Sequence, residues 1–538
     1  MNADEAIVLI GCMGAGKSAV GRVVAERLGR PFIDTDAEIE RRAGRSIPEI
    51  FASEGEAGFR AREREVIRWA AGQAGAVIAS GGGAVCDQAN WEAWRTAFVV
   101  WLRAPLAVLW ERVRHDTGRP LLARSDPRAA LAELCAQREP LYARADAVVQ
   151  SDAELGAVAQ AVIDAVRREP LWVELGARRY PIHIGPGELT RLGAHCRAVR
   201  PDGRPLGDRC LMITDAGVPP AWVDAAVDSL KAAGFRVGVT AIPSGEGAKR
   251  LETAGRLYDA AIEARLDRSS FVVAVGGGVV GDVAGFVAAT YMRGIPWVQV
   301  PTTLLAQIDA SVGGKVAVDH PRAKNLIGAF HQPCLVAVDV ETLRTLPDRQ
   351  LAAGWAELFK AGAIKDRALF ARLEQLSSVR PPQREIVPAI RWACAIKAAV
   401  VAADETDRGE RAILNFGHTI GHAIEAALGN DGARYLHGEA VAIGMVTEAL
   451  LSEASGVCPP GVACRLSSAL KRVGLPTGVE GVAPAAVIEA MDLDKKTVGG
   501  RWRFALLRAV GEAVLSDAVG VTIGRADVEG ALARQARL

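Results

Sequence analysis

The sequence predicts an α/β protein in which parallel sheets are covered by helices on both faces, followed by a mainly α-helical part. Short apolar runs at Ala6–Ile10, Val77–Ala79 and Phe98–Leu102 alternate with longer charged helical patterns, which is typical of parallel sheets. The alternation breaks at Pro170 and then begins again. After about Pro347 the strand patterns thin out, and long Ala- and Leu-rich helical patterns replace them almost to the C-terminus.

The places where this pattern changes divide the chain into domains. A length of 538 residues exceeds one compact core, since domains usually contain roughly 100–200 residues. The helical pattern over Ala153–Arg168 ends before Pro170, because a residue that precedes proline disfavours the helical conformation. From Leu171 onwards, two strands are predicted on either side of a turn at Gly176–Arg179. We therefore predict three domains, over residues 1–168, 172–346 and 347–538.

Composition, charge and cysteine usage favour a protein of the cytoplasm. The formal net charge is +1, so no basic excess indicates a nucleic acid or an anionic membrane as partner. The N-terminus is acidic and lacks the basic region of a signal peptide. No apolar run approaches the ~20 residues that span a bilayer, and Ala-rich stretches such as Ala393–Ala403 carry charge. Nine scattered cysteines without a C-x-x-C pair predict reduced thiols rather than disulfides or a zinc knuckle.

A phosphate-binding loop follows the first predicted strand. Residues 11–18 have the sequence GCMGAGKS, which matches G-x-x-x-x-G-K-[ST] and stands between a strand and a helical pattern, as the motif requires. The glycines let backbone N–H groups surround phosphates, Lys17 adds a positive charge, and the Ser18 hydroxyl can bind Mg²⁺. The motif predicts a nucleotide site but does not identify the phosphate acceptor.

Three further features narrow the choice of acceptor. Asp34 and Asp36 follow the second predicted strand, Arg60 lies in a charged helical pattern, and a second glycine cluster, Gly81–Gly83, follows the third strand. Each feature has an ordinary structural interpretation when taken singly: solvated charges for the first two, and a tight turn for the third. Only the combination of the three features, in this order along the chain, indicates what the phosphate acceptor is.

Residues 1–168 resemble the shikimate kinase family, through the P-loop, DTD, FR, SGGG, GRPLL and R-x-x-L-Y in that order. The resemblance implies a P-loop kinase domain that phosphorylates shikimate with ATP and Mg²⁺. The forked donors of arginine guanidinium groups suit the carboxylate of shikimate, and an aspartate carboxylate suits its vicinal hydroxyls. The resemblance assigns ATP to Gly14, Ala15, Gly16, Lys17, Ser18 and Arg119, shikimate to Asp36, Arg60, Gly82 and Arg138, and Mg²⁺ to Ser18 and Asp34, with Lys17 and Asp36 catalytic. Ala19, where Thr is common, is a small departure.

The second stretch carries a glycine-rich turn of its own. Gly276, Gly278 and Gly281 fit G-x-G-x-x-G between an apolar strand and a helical pattern, which is a weak signal alone. The acidic residue expected about 20 positions later is missing, so an ordinary Rossmann dehydrogenase is disfavoured. A pyrophosphate at this helix N-terminus remains a sensible expectation.

Three later segments offer metal ligands. The first contains Glu357, the second contains His418 and His422 one helical turn apart, and the third contains His437 and Glu439. Two histidines at i and i+4 on one helix face suit zinc. The alternative is that one or both only pack or cap, and spacing does not decide which histidines bind a metal.

From about residue 172 to 538 the sequence resembles the 3-dehydroquinate synthase family. Matching segments, in the family's order, include SGEGAK, GGGVVGD, KNLIGAF, AELFKAGAI, LNFGHTIGHAIE and LHGEAVAIGM. The resemblance implies a Rossmann-like α/β domain for NAD⁺, then a mainly helical domain for the metal and the substrate. It also implies Zn²⁺ (or Co²⁺) as the metal and a homodimer in which Arg293 reaches the neighbouring subunit's substrate.

The resemblance also places functional residues. It assigns zinc to Glu357, His418 and His437, and leaves His422 for the substrate and for proton transfer. It assigns NAD⁺ to Ser244, Gly245, Glu246, Lys249, Gly278, Val279, Val280, Gly281, Asp282, Thr302, Thr303, Lys315, Lys324, Thr342, Leu343, Arg344 and Thr345. It assigns the substrate phosphate to Arg293, Asn325, Lys360 and either Lys495 or Lys496, and the hydroxyls and carboxylate to Asp309, Lys397, Arg411 and Asn415, with His422, Lys315, Lys360 and Arg293 catalytic. Ser244 departs from the Asp that often precedes Gly-Glu.

The chemistry of the family explains this mixture of groups. Its substrate is 3-deoxy-D-arabino-heptulosonate 7-phosphate, which is oxidised at a hydroxyl, loses phosphate, is reduced again and closes into a carbocycle. NAD⁺ is therefore restored in each turnover. A zinc polyol dehydrogenase is one alternative, although a plain polyol needs no crowd of cations. Another sugar-phosphate cyclase and an inactive scaffold are the others; the attached kinase argues against the former, and the complete set of site residues against the latter.

We expect point mutations to separate the two activities. Lys17→Ala removes a cation from the transferring phosphoryl group, and the loss of one such contact costs about 10²–10³-fold. Shikimate phosphorylation should therefore collapse while dehydroquinate formation stays near wild type, and His422→Ala should do the reverse. Assays of both reactions on each folded variant test this. Loss of both activities from either single substitution would contradict the division of the chain.

Overall fold

The computed structural model describes residues 5–114, 126–167, 169–321, 323–407, 409–429, 434–493, 497–498, 501–535 and 538. The chain forms two compact units, Met1–Glu169 and Pro170–Leu538. The further boundary that the sequence predicts between residues 346 and 347 stays a prediction. Arg119, Lys495 and Lys496 lie outside the described residues.

The first unit is a parallel sheet of five strands in the order β2-β3-β1-β4-β5, with helices between the strands along the chain. Its elements are β1 (Ile7–Ile10), α1 (Lys17–Leu28), β2 (Phe32–Asp34), α2 (Thr35–Ala43), α3 (Ile47–Ala71), β3 (Val77–Ala79), α4 (Gln88–Ala93), β4 (Phe98–Arg103), α5 (Leu106–Val113), α6 (Pro127–Tyr142), β5 (Ala147–Gln150) and α7 (Leu155–Arg167). The predicted class and strand positions are confirmed.

The strand order of this unit determines where its site forms. All residues of the central strand β1 are fully buried, as expected for a strand covered on both faces. Strands β1, β2 and β3 are parallel neighbours, so their carboxyl ends meet at one edge. The phosphate loop, Asp34 and Gly81–Gly83 follow these three ends, and ligands of open α/β sheets bind at such an edge.

The second unit begins with a seven-stranded sheet in the order β6-β7-β14-β11-β10-β8-β9, in which only β6 is antiparallel to its neighbour. Its first elements are β6 (Leu171–Val173), β7 (Tyr180–Gly185), α8 (Glu188–Ala198), β8 (Arg209–Asp215), α9 (Pro220–Ala232), β9 (Arg236–Ile242), α10 (Leu251–Glu263), β10 (Phe271–Gly276), α11 (Gly278–Thr290), β11 (Trp297–Pro301), β12 (Lys315–His320), β13 (Ala323–Phe330) and β14 (Leu335–Asp339). Strands β12 and β13 form a separate hairpin, which the sequence pattern did not predict.

The remainder of this unit is mainly helical, as predicted. It contains α12 (Asp348–Lys365), α13 (Arg367–Leu373), α14 (Gln383–Ala403), α15 (His418–Ala427), α16 (His437–Ala454), α17 (Val462–Arg472), α18 (Pro484–Leu493), β15 (Thr497–Val498), β16 (Arg501–Trp502), β17 (Ala505–Ala509), β18 (Glu512–Leu515) and α19 (Arg525–Gln535). One continuous hydrophobic core joins β7 and β14 to α12, α14, α15 and α16. The sheet edge and the helices therefore share a single packed interior.

Helix α14 passes through this core. Within the described part of the chain it is the one helix long and apolar enough, by length and composition alone, to cross a membrane, and 56% of its most apolar window is buried inside the structure. Its Cys394 is fully buried, and its Lys397 is only 8% exposed and pairs with Asp309. Such burial and internal pairing are those of a core helix.

We expect the two units to fold and function separately. Residues 1–168 and 170–538, expressed apart, should each keep kcat and KM within about threefold of the full chain, which is less than about 1 kcal/mol. The reason is that each unit has its own sheet and core. Steady-state kinetics with circular dichroism on each fragment measures this. A tenfold loss in a folded fragment would show that catalysis needs both units.

Candidate active sites

The phosphate loop of the first unit has the geometry that the motif predicts. Gly11, Gly14 and Gly16 have φ angles of 147°, 82° and 85°, which favour glycine. A Cβ on Gly14 would lie 2.9 Å from the carbonyl oxygen of Leu109, so this position also needs glycine for space. Helix α1 starts at Lys17 without a side-chain cap, which leaves its first N–H groups available to an anion.

Two polar side chains at the end of the loop make defined hydrogen bonds. Lys17 Nζ donates to the carbonyl oxygens of Gly11 and Cys12, at 2.9 and 3.2 Å. Ser18 Oγ donates to Asp34 Oδ2 at 2.5 Å. A hydroxyl beside a carboxylate is a pair of oxygen ligands of the kind that Mg²⁺ prefers, so these residues fit the ion.

Asp36 stands next to this pair with an unsatisfied oxygen. Asp34 caps helix α2 by accepting from the backbone N–H of Asp36 at 3.1 Å, which fixes the position of both carboxylates. Asp36 Oδ1 is buried and has no hydrogen-bond partner among the described residues. Burial raises the pKa of Asp36 to about 6, and the negative charge of Asp34 adds to the effect. A buried carboxylate oxygen left open in this way can accept a hydrogen bond from a ligand hydroxyl.

At the second glycine cluster, charged side chains lie very close to the backbone. A Cβ on Gly81 would lie 2.8 Å from Asp36 Oδ1, and one on Gly83 would lie 2.6 Å from Arg60 Nη2. Any side chain at these positions would therefore displace the charged groups that face them. The sequence alternative of an ordinary tight turn does not explain these contacts.

Arginines from two helices meet at the same cluster. Arg138, on α6, donates to the carbonyl oxygen of Gly82 at 3.2 Å, and Tyr142 Oη donates to the same oxygen at 2.7 Å. Arg60, on α3, donates to Glu63 at 2.7 Å. Glu63 is 1% exposed, and its other oxygen is unpaired among the described residues. The sequence analysis missed Glu63 and Tyr142; the spacing of three between Arg60 and Glu63 on one helix was the available signal.

In the second unit, the G-x-G-x-x-G segment joins β10 to α11. A Cβ on Gly281 would lie 2.3 Å from Gln299 Nε2, and one on Gly276 would lie 2.5 Å from Val280 Cγ2. These glycines thus allow the helix to pack closely on the strand. Helix α11 begins at Gly278 without a side-chain cap, so its first N–H groups suit a pyrophosphate.

A charged cluster lies beside this helix. Lys249 is 4% exposed; its Nζ lies 2.5 Å from Asp282 Oδ2 and also donates to Asn325 Oδ1. Asn325 has a φ of 58° and is held by Asp319, which accepts from its backbone N–H at 2.7 Å. The structure therefore brings together three residues that are widely separated in sequence: Lys249, Asp282 and Asn325.

An acidic residue lies at the end of a neighbouring strand that comes earlier in the chain. Asp215 ends β8, the direct neighbour of β10, and its Oδ1 accepts from Ser244 Oγ and the Gly217 N–H, both at 2.7 Å. Ser244 thus stands beside a carboxylate instead of providing one. The G-x-G-x-x-G pattern did not reveal Asp215, because it places the acidic residue after the glycine turn along the chain, whereas Asp215 precedes that turn.

Most of the other residues assigned to NAD⁺ follow neighbouring strand ends. Thr302 and Thr303 come after β11, and Thr342–Thr345 form a 3-10 turn after β14. Arg344 differs from the buried Thr342 and Leu343 beside it, because its side chain is 74% exposed and pairs with Glu341. Lys315, at the start of the hairpin, lies 2.5 Å from Asp407 Oδ2.

Close helix packing brings the histidines together. A Cβ on Gly444 of α16 would lie 1.9 Å from the Gly417 carbonyl oxygen that precedes α15, and one on Gly438 would lie 1.9 Å from the Ala353 carbonyl oxygen of α12. Only glycine allows these helices to approach so closely. Ligand nitrogens of His418, His422 and His437 all lie within 4.8 Å of one another.

Glu357 completes this group from helix α12. It is 3% exposed, its Oε1 lies 3.6 Å from His418 Nε2, and this oxygen accepts no hydrogen bond from the described residues. Its Oε2 contacts the ammonium of Lys360. A buried carboxylate with an open oxygen beside histidine imidazoles matches the ligand preference of zinc, so these residues fit the metal.

Glu425 and Glu439 have different roles beside the histidines. Glu425 Oε2 lies 3.1 Å from His437 Nδ1, an arrangement that orients a metal-binding imidazole. Burial opposes the charge of Glu425, but the hydrogen bond and charge of His437 outweigh it and lower its pKa to about 2. Both oxygens of Glu439 accept from Arg349 at 2.8 Å, so Glu439 is not a metal ligand as the sequence had allowed.

Glu425 was missed although the sequence contained a signal. It follows His422 by three residues and His418 by seven, so all three lie on one face of α15. Glu448 was missed as well: it is fully buried on α16, and its carboxylate accepts from the backbone N–H of Gly417 at 2.8 Å, at the start of the histidine helix.

A second cluster of potential metal ligands is less suitable. His183, Glu188 and His195 also have potential ligand atoms within 4.8 Å of one another. The two imidazole rings are stacked, with centroids 3.7 Å apart, and Glu188 pairs with both His195 and Arg191. Stacked rings direct their lone pairs in parallel rather than toward one ion. The Glu357 group is therefore the better candidate metal centre.

Buried cations surround that centre. Lys397 Nζ donates to Asp309 Oδ1 at 2.7 Å, and Asp309 lies in a π-helical turn, Ala306–Ala310. Burial lowers the pKa of Lys397, whereas the carboxylates of Glu357 and Asp309 outweigh burial and raise the pKa of Lys360. These buried cations suit an anionic substrate, because fixed cations stabilise anions strongly where water is largely excluded.

Three other predicted residues occupy distinct positions. Arg411 is 3% exposed and donates to the carbonyl oxygen of Glu405 at 2.6 Å. Asn415 is half-buried and ends the turn that leads to His418. Arg293 is exposed, with a φ of 68°, and no hydrogen bond joins it to the described residues of its own chain.

Comparison with known proteins identifies the family. Residues 239–353 and 354–497 match the family models for the N-terminal and C-terminal parts of 3-dehydroquinate synthase. The 3-dehydroquinate synthase of Desulforamulus reducens is 49% identical over 343 residues, which are 63% of this chain and 94% of that protein. The chain belongs to the 3-dehydroquinate synthase family. Residues 13–167 match the shikimate kinase family model, so the chain is a shikimate kinase fused to a 3-dehydroquinate synthase.

Solved structures similar to the synthase unit include two other sugar-phosphate cyclases. A 2-deoxy-scyllo-inosose synthase complexed with carbaglucose-6-phosphate, NAD⁺ and Co²⁺ is 26% identical, with a TM-score of 0.60, over 68% of this chain and 99% of that chain. A 2-epi-5-epi-valiolone synthase from Streptomyces hygroscopicus with NAD⁺ and Zn²⁺ bound is 27% identical, with a TM-score of 0.59, over 68% and 98%. These identities are far below the 49% of the dehydroquinate synthase, so the alternative activities are not favoured.

We expect Glu425→Ala to weaken metal binding by the synthase. Without the carboxylate, His437 loses the group that orients its ring, and such losses cost about 10–100-fold in metal affinity. Titration of the metal-free chain with Zn²⁺ against a competing chelator measures the change. Glu425→Gln is the matched control, because its amide oxygen can still accept from His437 and should preserve more of the affinity. Wild-type affinity in Glu425→Ala would exclude this role.

Proposed function

We propose that this chain catalyses two reactions of the shikimate pathway with the residues described above. The kinase unit transfers a phosphoryl group from ATP to shikimate, and the synthase unit converts 3-deoxy-D-arabino-heptulosonate 7-phosphate to 3-dehydroquinate and phosphate. The observation that carries the proposal is the convergence of Glu357, His418 and His437 beside the buried Lys360 and Lys397, in a chain of this family.

In the kinase unit, the phosphate loop and Lys17 hold the ATP phosphates, and Ser18 and Asp34 hold Mg²⁺. A bound Mg²⁺ offsets charge between the phosphate oxygens. Asp36 accepts the hydrogen bond of the attacking hydroxyl, which its buried and unsatisfied Oδ1 supports. Arg60 and Arg138 bind the shikimate carboxylate, since both guanidinium groups lie at the Gly81–Gly83 cluster.

In the synthase unit, residues at the carboxyl ends of β8, β10, β11 and β14 would hold NAD⁺. The N-terminus of α11 at Gly278–Asp282 would bind its pyrophosphate, and Lys249 would offset the charge. Asp215 accepts from the hydroxyls of the adenosine ribose, a role supported by its place at the end of the strand next to the glycine loop. A bound NAD⁺ takes up and returns the reducing equivalents of the cycle.

The metal and substrate lie between this sheet edge and the helices. Glu357, His418 and His437 hold Zn²⁺ or Co²⁺, which polarises the substrate hydroxyl when bound. Lys360 and Asn325 bind the substrate phosphate, and Lys397 and Arg411 bind its carboxylate. The burial of Lys360, Lys397 and Arg411 supports this, because fixed cations in a water-poor site stabilise anions strongly.

His422 is left for proton transfer. It lies on the same face of α15 as His418, with ring centroids 5.3 Å apart, so it reaches a substrate held at the metal. Asp309 accepts from a substrate hydroxyl and keeps Lys397 in place through their ion pair. Asn415 and Lys315 complete the polar lining.

The synthase part forms a homodimer in the cytoplasm, with neither nucleic acid nor membrane as partner. Arg293 supports the dimer: it is exposed, and both it and Met292 have φ angles of 68° and 50°, a strained pair that a functional contact would justify. Through this contact Arg293 reaches the substrate phosphate of the neighbouring subunit.

A turnover assay tests the synthase reaction. The purified chain, given the heptulosonate phosphate, Zn²⁺ and a small amount of NAD⁺, should release many equivalents of phosphate without net NADH, because NAD⁺ is restored each cycle. His422→Ala is the control for phosphate that is released without the synthase reaction. Stoichiometric NADH, as a polyol dehydrogenase produces, would contradict the proposal.

A further inference from the structure

Two cysteines face each other between the phosphate loop and α6 of the kinase unit. Cys12 Sγ and Cys135 Sγ lie 2.7 Å apart, although the residues are 123 positions apart in sequence. A disulfide bond has a length of about 2.05 Å, so the two sulfur atoms need only a short further approach to reach bonding distance. Cys12 is 5% exposed, and Cys135 is partly exposed.

The surroundings give these thiols unequal reactivity. The hydrogen bond from Cys135 lowers the pKa of Cys12 to about 7; burial opposes this, and the charges of Lys17 and Arg138 favour it. The same pairing and burial raise the pKa of Cys135. One sulfur is thus available as a thiolate and the other retains its proton, which is the arrangement of an attacking and a resolving cysteine.

Four other cysteines show how this pair differs. Burial raises the pKa of Cys210 and Cys394 to about 12, which makes them inert. Cys86 and Cys464 are exposed and have no cysteine partner among the described residues. The pair is therefore distinguished by geometry as well as by charge.

We propose that Cys12 and Cys135 are an oxidative modification site, which a peroxide converts to a reversible disulfide that stops the kinase. The Cys12 thiolate attacks a peroxide oxygen, the O–O bond breaks, and hydroxide leaves and is protonated to water. Cys12 is then a sulfenic acid. The sulfur of Cys135 attacks it and loses its proton, the S–O bond breaks, and a second water leaves. Two thiols are oxidised and one peroxide is reduced.

The effect on the kinase follows from where the bond would form. Arg138, three residues after Cys135 on α6, donates to the carbonyl oxygen of Gly82. A Cβ on Gly82 would lie 3.4 Å from the backbone nitrogen of Met13, the residue after Cys12. The phosphate loop, the glycine cluster and α6 therefore meet at one point. A bond here pulls the loop towards α6, and misplacement by about 1 Å can cost about 100-fold in rate. The inhibition of the kinase by this disulfide rests on the proposed kinase function.

Peptide mapping and activity assays on the full chain test both parts. The reduced chain is treated with hydrogen peroxide, digested without reductant and analysed by mass spectrometry. A linked pair of peptides containing Cys12 and Cys135 is expected, together with loss of shikimate phosphorylation, retention of synthase activity and recovery of the kinase with dithiothreitol. Absence of the linked peptides overturns the site. Linked peptides with undiminished kinase activity overturn the inhibition.

Single substitutions separate this pair from other oxidation. Cys135→Ser, which lies outside the phosphate loop, should leave the kinase active after peroxide and abolish the linked peptides. Cys86→Ser is the matched control at an exposed, unpaired cysteine and should respond like wild type. Peroxide inactivation that persists in Cys135→Ser overturns the inhibition by a disulfide. A reduced chain that fails to phosphorylate shikimate contradicts the proposed function instead, and the peptide map then still decides whether the modification site exists.

Discussion

The contact of three helices at glycine residues is the constraint on which the synthase site depends. Helix α16 meets the start of α15 at Gly444 and Gly417, and it meets α12 at Gly438, with no room for a Cβ at either crossing. These approaches carry histidines from two helices toward a carboxylate from the third. A larger side chain at Gly438 or Gly444 would separate the helices and disperse the ligands without altering any of them.

Such packing leaves charged groups inside the protein, and their balance has a cost. Glu357 faces Lys360, Asp309 faces Lys397, and Glu448 accepts from the start of α15. Buried ion pairs contribute little to stability, because desolvation offsets much of the attraction. Their value here is functional: the site holds cations and an open carboxylate in advance, so an anionic substrate and a metal meet partners that need little reorganisation.

The two units solve the problem of anion binding in similar ways. In each, a glycine-rich turn joins a buried parallel strand to a helix whose N-terminus has no side-chain cap. Side chains from neighbouring strand ends then select the ligand: Asp34 and Gly81–Gly83 in the first unit, and Asp215 in the second. Glycines allow close approach in both units, since a Cβ on Gly81 would strike Asp36 and one on Gly281 would strike Gln299.

The sequence by itself determined the fold class, the strand–loop–helix context of Lys17 and Gly278, and the face that His418 and His422 share, because these depend on short-range spacing and periodicity. Tertiary structure alone decided the rest. It placed Cys135 against Cys12, supplied Asp215 from an earlier strand, and paired Glu439 with Arg349 instead of a metal. Each of these joins segments far apart along the chain, and local patterns carry no information about which distant segments packing will bring together.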